Sequence, residues 1–183
     1  MGAQVDFLVP DRFKYGHGLT PEIVELAIAN GQPDLIVTVD NGISSHAGVD
    51  RAHLAGIEVI ITDHHLTSKQ PPNACAVVNP NQPNCSFASK ALAGVGVAFY
   101  LLAALATRRK QAGKPSSRLT DYLDLVALGT VADVAPLDHN NRILVAQGVQ
   151  RINRRQCRVG ILALLAVARR EPEQLTAQDL GFV

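Results

Sequence analysis

Apolar residues in the first half of the chain fall into short β-branched runs set between amphipathic stretches. Val5–Val9 (VDFLV), Leu35–Val39 (LIVTV) and Ile57–Thr62 (IEVIIT) each read as a strand, and Ala76–Val78 as a shorter fourth. Asp11–Leu19 reads as a loop with Gly16 and Gly18. Thr20 is placed to cap a helix with Pro21 and Glu22 in its first turn; it runs to about Asn30, with Gly31 suited to end it. Ser44 or Ser45 is placed to cap the next helix, which extends through Ala55 and closes at Gly56. Strand and helix alternating at this spacing predict a parallel sheet flanked by helices, joined by right-handed crossovers. Beyond Ser89 the pattern turns helical. Helices are predicted at about 89–108, 120–128, 139–154 and 159–169, with a polar linker at Lys110–Ser117 and a last helix after Thr176. Val5 already lies in a predicted strand, and the apolar end Leu180–Val183 has no polar tail, so the chain reads as cut from something longer.

Composition sharpens this picture. The chain of 183 residues is 47% hydrophobic but only 4% aromatic with no Trp, so its core must be aliphatic, and disorder is excluded as the main state. The net charge of +1 hides an acidic first part, 5 Lys/Arg against 9 Asp/Glu in residues 1–107, and a basic second part with 12 against 7. Three cysteines with no CxxC pair argue against a disulfide framework or a zinc knuckle, and reduced thiols in the cytoplasm are expected. The uncharged run Ala91–Ala106 is 16 residues long and contains two glycines; it predicts a buried helix and no membrane span. Gly94-Val95-Gly96 follows no strand and lacks the third glycine of a dinucleotide fingerprint, so close helix–sheet packing is the better reading.

In an open parallel sheet, sites form beyond the carboxyl ends of the strands. One predicted strand runs into Asp40-Asn41-Gly42 and the next into Asp63-His64-His65. Carboxylate and imidazole at neighbouring strand ends suit a divalent ion such as Mn²⁺. By themselves, Asp40-Asn41-Gly42 also reads as a plain turn and a lone His as structural. Adjacent side chains diverge, so one histidine should bind the ion and the other reach substrate, with Asp63 orienting an imidazole. Asp133, in the apolar stretch VADVAPL, is a further candidate, because a buried carboxylate needs a partner. Arg151, Arg154, Arg155 and Arg158 would share a helical face and could meet phosphates if the helix continued through them; a solvated surface explains each equally well.

Taken together, VTVDNGISSH, VIITDHHL, ALAGVGVAFYLL and DLVALGTVADVAPLDHNNRILVAQGVQRI resemble the DHH phosphoesterase superfamily, over about residues 5–183. Within it, the blocks are most similar to its bacterial single-strand-specific 5′→3′ exonucleases. The resemblance implies an α/β fold: a Rossmann-like parallel sheet flanked by helices over 1–108, continued by a mainly helical part of the catalytic core over 109–183. It implies a phosphodiesterase using two ions, Mn²⁺ or Mg²⁺, on single-stranded DNA in repair and recombination. Asp40 would bridge both ions, His64 and Asp133 would ligate one, His65 would contact the scissile phosphate and Asp63 would support the imidazoles. The family's Asp-x-Asp motif and its downstream Arg/Asn/Gly-rich block do not occur in these 183 residues, so the resemblance implies a fragment that is not competent alone. Other readings are a DHH phosphoesterase acting on oligonucleotides, cyclic dinucleotides or pyrophosphate, and a non-catalytic nucleic-acid-binding module.

Overall fold

Three of the four predicted strands form in the computed structural model, which describes residues 3–66 and 70–182. They are β1 (Leu35–Val39), β2 (Glu58–Thr62) and β3 (Ala76–Val78), all parallel in the order β1-β2-β3. Register pairs Val39 with Thr62, and Thr62 with Val78, so the carboxyl ends of the strands are level. The expected strand at Val5–Val9 is not formed. Its backbone pairs with no strand among the described residues, Asp6 takes the Phe7 N–H with its own carboxylate at 2.8 Å, and Val5, Phe7 and Val9 are each more than 80% exposed. An extended segment without a ladder partner has no reason to become a strand, whatever its propensity.

The chain divides into two compact units, Met1–Ser86 and Phe87–Val183. In the first, α2 (Pro21–Gly31) and α3 (His46–Leu54) cover one face of the sheet. Ile23 and Val24 from α2 and Val49 and Ala52 from α3 bury against Val59 and Ile61, with Leu19 and Ile57 completing the cluster. Leu35, Val37 and Val39, on the opposite side of β1, remain about half exposed. Thr20 caps α2 as expected, accepting the Ile23 N–H. The left-handed residue that closes α2 is Gln32, one place beyond the expected Gly31, which completes the helix. Ser45 precedes α3 but does not cap it with its side chain, because its hydroxyl accepts the Leu19 N–H at 2.9 Å. The expected loop at 11–19 contains one helical turn, α1 (Arg12–Tyr15), started by Asp11 accepting the Phe13 N–H.

The second unit is helical: α4 (Gly94–Gln111), α5 (Leu123–Ala132), α6 (His139–Asn153) and α7 (Val159–Val167), with 3₁₀ turns at Leu119–Tyr122, Pro172–Gln174 and Asp179–Phe182. α4 begins five residues later than the pattern predicts. The buried Asn141 side chain holds the Ala91 and Pro136 carbonyls at 2.7 and 2.9 Å, and Ser89 donates to Asp138, which caps α6; residues 89–93 are thereby kept out of the helix. α4 packs on α5, which places it with the helical unit, ahead of the boundary expected at 108. A Cβ on Gly129 of α5 would lie 2.8 Å from Val95, so the close packing at Gly94-Val95-Gly96 is of helix on helix. The last predicted helix is only the 3₁₀ turn near the end. No helix among the described residues is long and apolar enough to cross a membrane.

Gly48 sets how closely α3 approaches the chain leading into α2. A Cβ there would stand 1.9 Å from the Leu19 carbonyl oxygen, a backbone atom that cannot rotate away. Gly48→Ala is therefore expected to destabilise the protein by about 3 kcal/mol or more, read as a fall in the urea midpoint with an unchanged slope.

Candidate metal centre

Two strand ends build the site. Where β1 stops, the Asp40 N–H still donates to the Thr62 carbonyl at 2.9 Å, and the chain then turns sharply, with Asp40 itself at φ +64°. Three hydrogen bonds hold that turn: Asn41 Nδ2 to the Val39 carbonyl at 2.9 Å, Thr38 Oγ1 to the Asn41 carbonyl at 2.7 Å, and Thr62 Oγ1 to the Thr38 carbonyl at 2.6 Å. Gly42 follows at φ +112°, where a Cβ would lie 2.7 Å from Thr38 Oγ1. Left-handed backbone costs an L-residue roughly 1–2 kcal/mol, least for Asp and Asn, and surrounding structure must impose it. Asp40 is held there with its carboxylate exposed.

At the end of β2 the Asp63 carboxylate is 1% exposed. Its Oδ2 accepts the Ile43 N–H at 2.9 Å; its Oδ1 accepts the N–H groups of His64 and His65 at 2.8 and 3.1 Å and meets His65 Nδ1 at 2.6 Å. Burial pushes its pKa up, but the Ile43 amide, the His65 ring and the amides of His65 and His64 outweigh burial and hold it below the ordinary carboxylate value. Asp63 thus orients the His65 ring directly and His64 through the backbone.

The His64 ring reaches across to β1, with Nε2 3.0 Å from Asp40 Oδ1. Asp40, His64 and His65 each offer one ligand atom, and these atoms all lie within 4.8 Å of one another. The histidine rings are 4.5 Å apart and tilted by 56°, so both imidazoles face one small volume despite being neighbours in sequence. One carboxylate oxygen and two imidazole nitrogens form a donor set suited to a divalent transition ion.

The chain after β3 also enters the site, although it carries no motif of its own. Asn79 Nδ2 donates to the His65 carbonyl at 3.0 Å and Asn81 Nδ2 to the His64 carbonyl at 2.6 Å. Only the strand-end position of Asn79-Pro80-Asn81 signals this in the sequence.

The other candidates lie in the second unit. Asp133 is the C-terminal cap of α5 and is exposed, followed by Val134 at φ +53°; the burial expected for its carboxylate is not found. The four arginines share no continuous helix, because α6 ends at Asn153 and Arg155 takes φ +54°. Arg151 pairs with Asp121 at 3.0 Å, Arg155 with Glu173 at 2.6 Å, and Arg158 with the buried Asp124 while its guanidinium lies over the Tyr122 ring. Arg154 is exposed and has no ion pair among the described residues.

Asp63→Asn exchanges one buried acceptor for a donor and should cost roughly 2–3 kcal/mol. The folded pKa of Asp63 lies below its ordinary value of 3.8. Its stabilisation is therefore complete above about that value and is lost as pH falls through the folded pKa. Urea titrations from neutral pH into acid should show the wild-type advantage over Asp63→Asn shrinking there. An equal gap at all pH values would show that the Asp63 charge contributes nothing.

The sequence profile of the DHH family, N-terminal domain, matches residues 1–130. The chain is 58% identical to the single-stranded-DNA-specific exonuclease RecJ of Dickeya dadantii, covering 99% of this chain and 32% of that protein. It is 57% identical to the RecJ of Escherichia coli, over 98% of this chain and 32% of the relative. Among solved structures it superposes on an exonuclease RecJ bound to manganese with a TM-score of 0.78 at 36% identity, covering 96% of this chain and 42% of that one. RecJ in complex with Mn²⁺ from Thermus thermophilus matches with a TM-score of 0.70 at 36% identity, over 88% of this chain and 23% of that one. The chain spans about a third of the length of these curated relatives. With the family profile covering both strand ends and the helical continuation as far as Thr130, the chain belongs to the DHH family.

Proposed function

We propose that this chain is part of the catalytic core of a metal-dependent 5′→3′ exonuclease that hydrolyses single-stranded DNA in repair and recombination. The observation that carries the proposal is the meeting of Asp40, His64 and His65 within 4.8 Å at the ends of adjacent parallel strands. The relatives named for single-stranded-DNA-specific exonuclease activity, and the manganese-bound structures among them, support the same reading.

Asp40 and His64 are the residues that would hold a divalent ion, Mn²⁺ or Mg²⁺. A carboxylate offers two oxygens, so Asp40 is the residue suited to serve two ions in the complete protein. Once bound, such ions supply an activated water and neutralise charge on the phosphoryl oxygens during in-line displacement. The protein's own part is positioning. The strained turn fixes Asp40 against His64 before any ligand arrives, and Asp63 fixes the orientation of the His65 ring through its contact with Nδ1. As an imidazolium, a His65 so held would donate from Nε2–H to the scissile phosphate while Nδ1–H stays on Asp63. Arg154 is the one of the four arginines proposed to meet the DNA backbone, since the other three are engaged by acidic neighbours.

The test uses the full-length protein. Mn²⁺-dependent release of 5′-mononucleotides from labelled single-stranded DNA should fall by more than about 100-fold in Asp40→Ala and in His64→Ala, beyond what loss of an outer-shell partner costs. Thermal melting of both metal-free variants should stay close to wild type, since neither side chain is part of the buried core. Undiminished hydrolysis by Asp40→Ala would overturn the proposal.

A further inference from the structure

We infer that Asn79 and Asn81 are positioning residues which clamp the backbone of the two histidines, so that the turn after β3 sets the geometry of an ion site on β1 and β2. This rests on the reading of Asp40 and His64 as ion-binding residues.

The two asparagines act as a pair. The Asn81 amide donates to His64 O at 2.6 Å and the Asn79 amide to His65 O at 3.0 Å, so consecutive carbonyls are gripped by alternate residues of one turn. The turn is itself rigid. Asn79 Oδ1 accepts the Asn81 N–H at 2.8 Å, and Gln82 Nε2 donates to the Val77 carbonyl at 2.9 Å. Asn79 is buried, at 4% exposure, and Pro80 between the two is buried as well. At its root the turn is tied to β2 by the Asp63 N–H, which donates to Val78 O at 3.1 Å.

His64 and His65 leave β2 with no further ladder to hold them, since β3 ends at Val78. Asp63 secures their N–H groups and the asparagines secure their carbonyls. With both peptide faces fixed, the backbone direction of His64 is set, and with it the approach of its ring to Asp40. Asparagine suits this role because a short, neutral amide donates to a carbonyl while its oxygen serves the turn, and it adds no charge beside an ion. Partners of this kind typically affect ion affinity by 10–100-fold.

The experiment measures Mn²⁺ affinity of the full-length protein by titration calorimetry, with thermal melting alongside. Asn81→Asp keeps the shape and removes the donor but adds a charge, for which Asn81→Ala, removing the donor alone, is the control; Asn81→Gln restores a donor on a longer arm. Gln82→Ala loosens the same turn without touching a histidine carbonyl. We expect Asn81→Asp to weaken Mn²⁺ binding by about tenfold or more, with kcat lowered and the KM for DNA little changed. Asn81→Gln should recover part of the loss, and Gln82→Ala should bind Mn²⁺ like wild type. Equal losses in Gln82→Ala and Asn81→Asp would reduce the role to plain turn stability and overturn the inference. So would wild-type affinity in both Asn81→Asp and Asn81→Ala. His64→Ala separates the two levels: if it abolishes binding while Asn81→Asp does not, only the clamp fails, whereas unchanged binding in His64→Ala removes the ion site itself. Should Asn81→Asp not fold, hydrogen exchange of the wild-type side-chain amides decides. Protection of the Asn79 and Asn81 amides that persists with Mg²⁺ bound supports the clamp, and its loss refutes it.

Discussion

A carboxylate buried at the end of a central strand must be satisfied, and satisfying Asp63 organises the whole first unit around the site. Desolvating an unpaired charge would cost far more than the fold can spare. Four donors meet it instead: the Ile43 amide, two consecutive amides beyond β2 and the His65 ring. Because Ile43 lies beyond β1, the same carboxylate ties the turn after β1 to the turn after β2. The two strand ends therefore cannot drift apart without exposing or stranding a buried charge.

That tie explains how a small sheet carries a strained element. Asp40 sits in left-handed backbone between a ladder bond to Thr62 and the hydrogen bonds of Asn41, Thr38 and Thr62. Packing of α2 and α3 onto Val59 and Ile61 anchors β2 from the opposite direction, and the approach of Gly48 to Leu19 brings the helices close enough to do so. Strain, burial and hydrogen bonding converge on an exposed carboxylate and two imidazoles, which is the order expected when a functional group is held in advance of its ligand.

Much of this was legible in the sequence because it is local. β-branched runs marked β1 and β2, Thr20 and Pro21 marked the start of α2, and polar residues at two strand ends marked Asp40, Asp63, His64 and His65. The failures are non-local. Val5–Val9 has strand propensity but no ladder partner among the described residues, and propensity does not report partners. Ser45 has a capping side chain, but Leu19 claims it. Residues 89–93 have a helical pattern, which a buried Asn141 fifty positions away overrides. The arginines at 151–158 are spaced for one helical face, yet the helix ends among them and acidic residues pair three of the four. Neighbouring histidines were expected to diverge; beyond the strand the Asp63 hydrogen bonds turn both rings to one volume. Asn79 and Asn81 carry no such mark, because an asparagine in a turn reads as turn chemistry and nothing more.

The central claim is that Asp40 and His64, brought together by the Asp63 tie, form a divalent-ion site. Anomalous diffraction at the manganese edge from crystals of the full-length protein grown with Mn²⁺ tests it most directly. The account predicts an anomalous peak at a bonding distance of about 2.0–2.2 Å from both an Asp40 oxygen and His64 Nε2, with the Asp63 hydrogen bonds intact. A fully occupied manganese position elsewhere, with Asp40 and His64 still in contact with each other and with no ion, would contradict it.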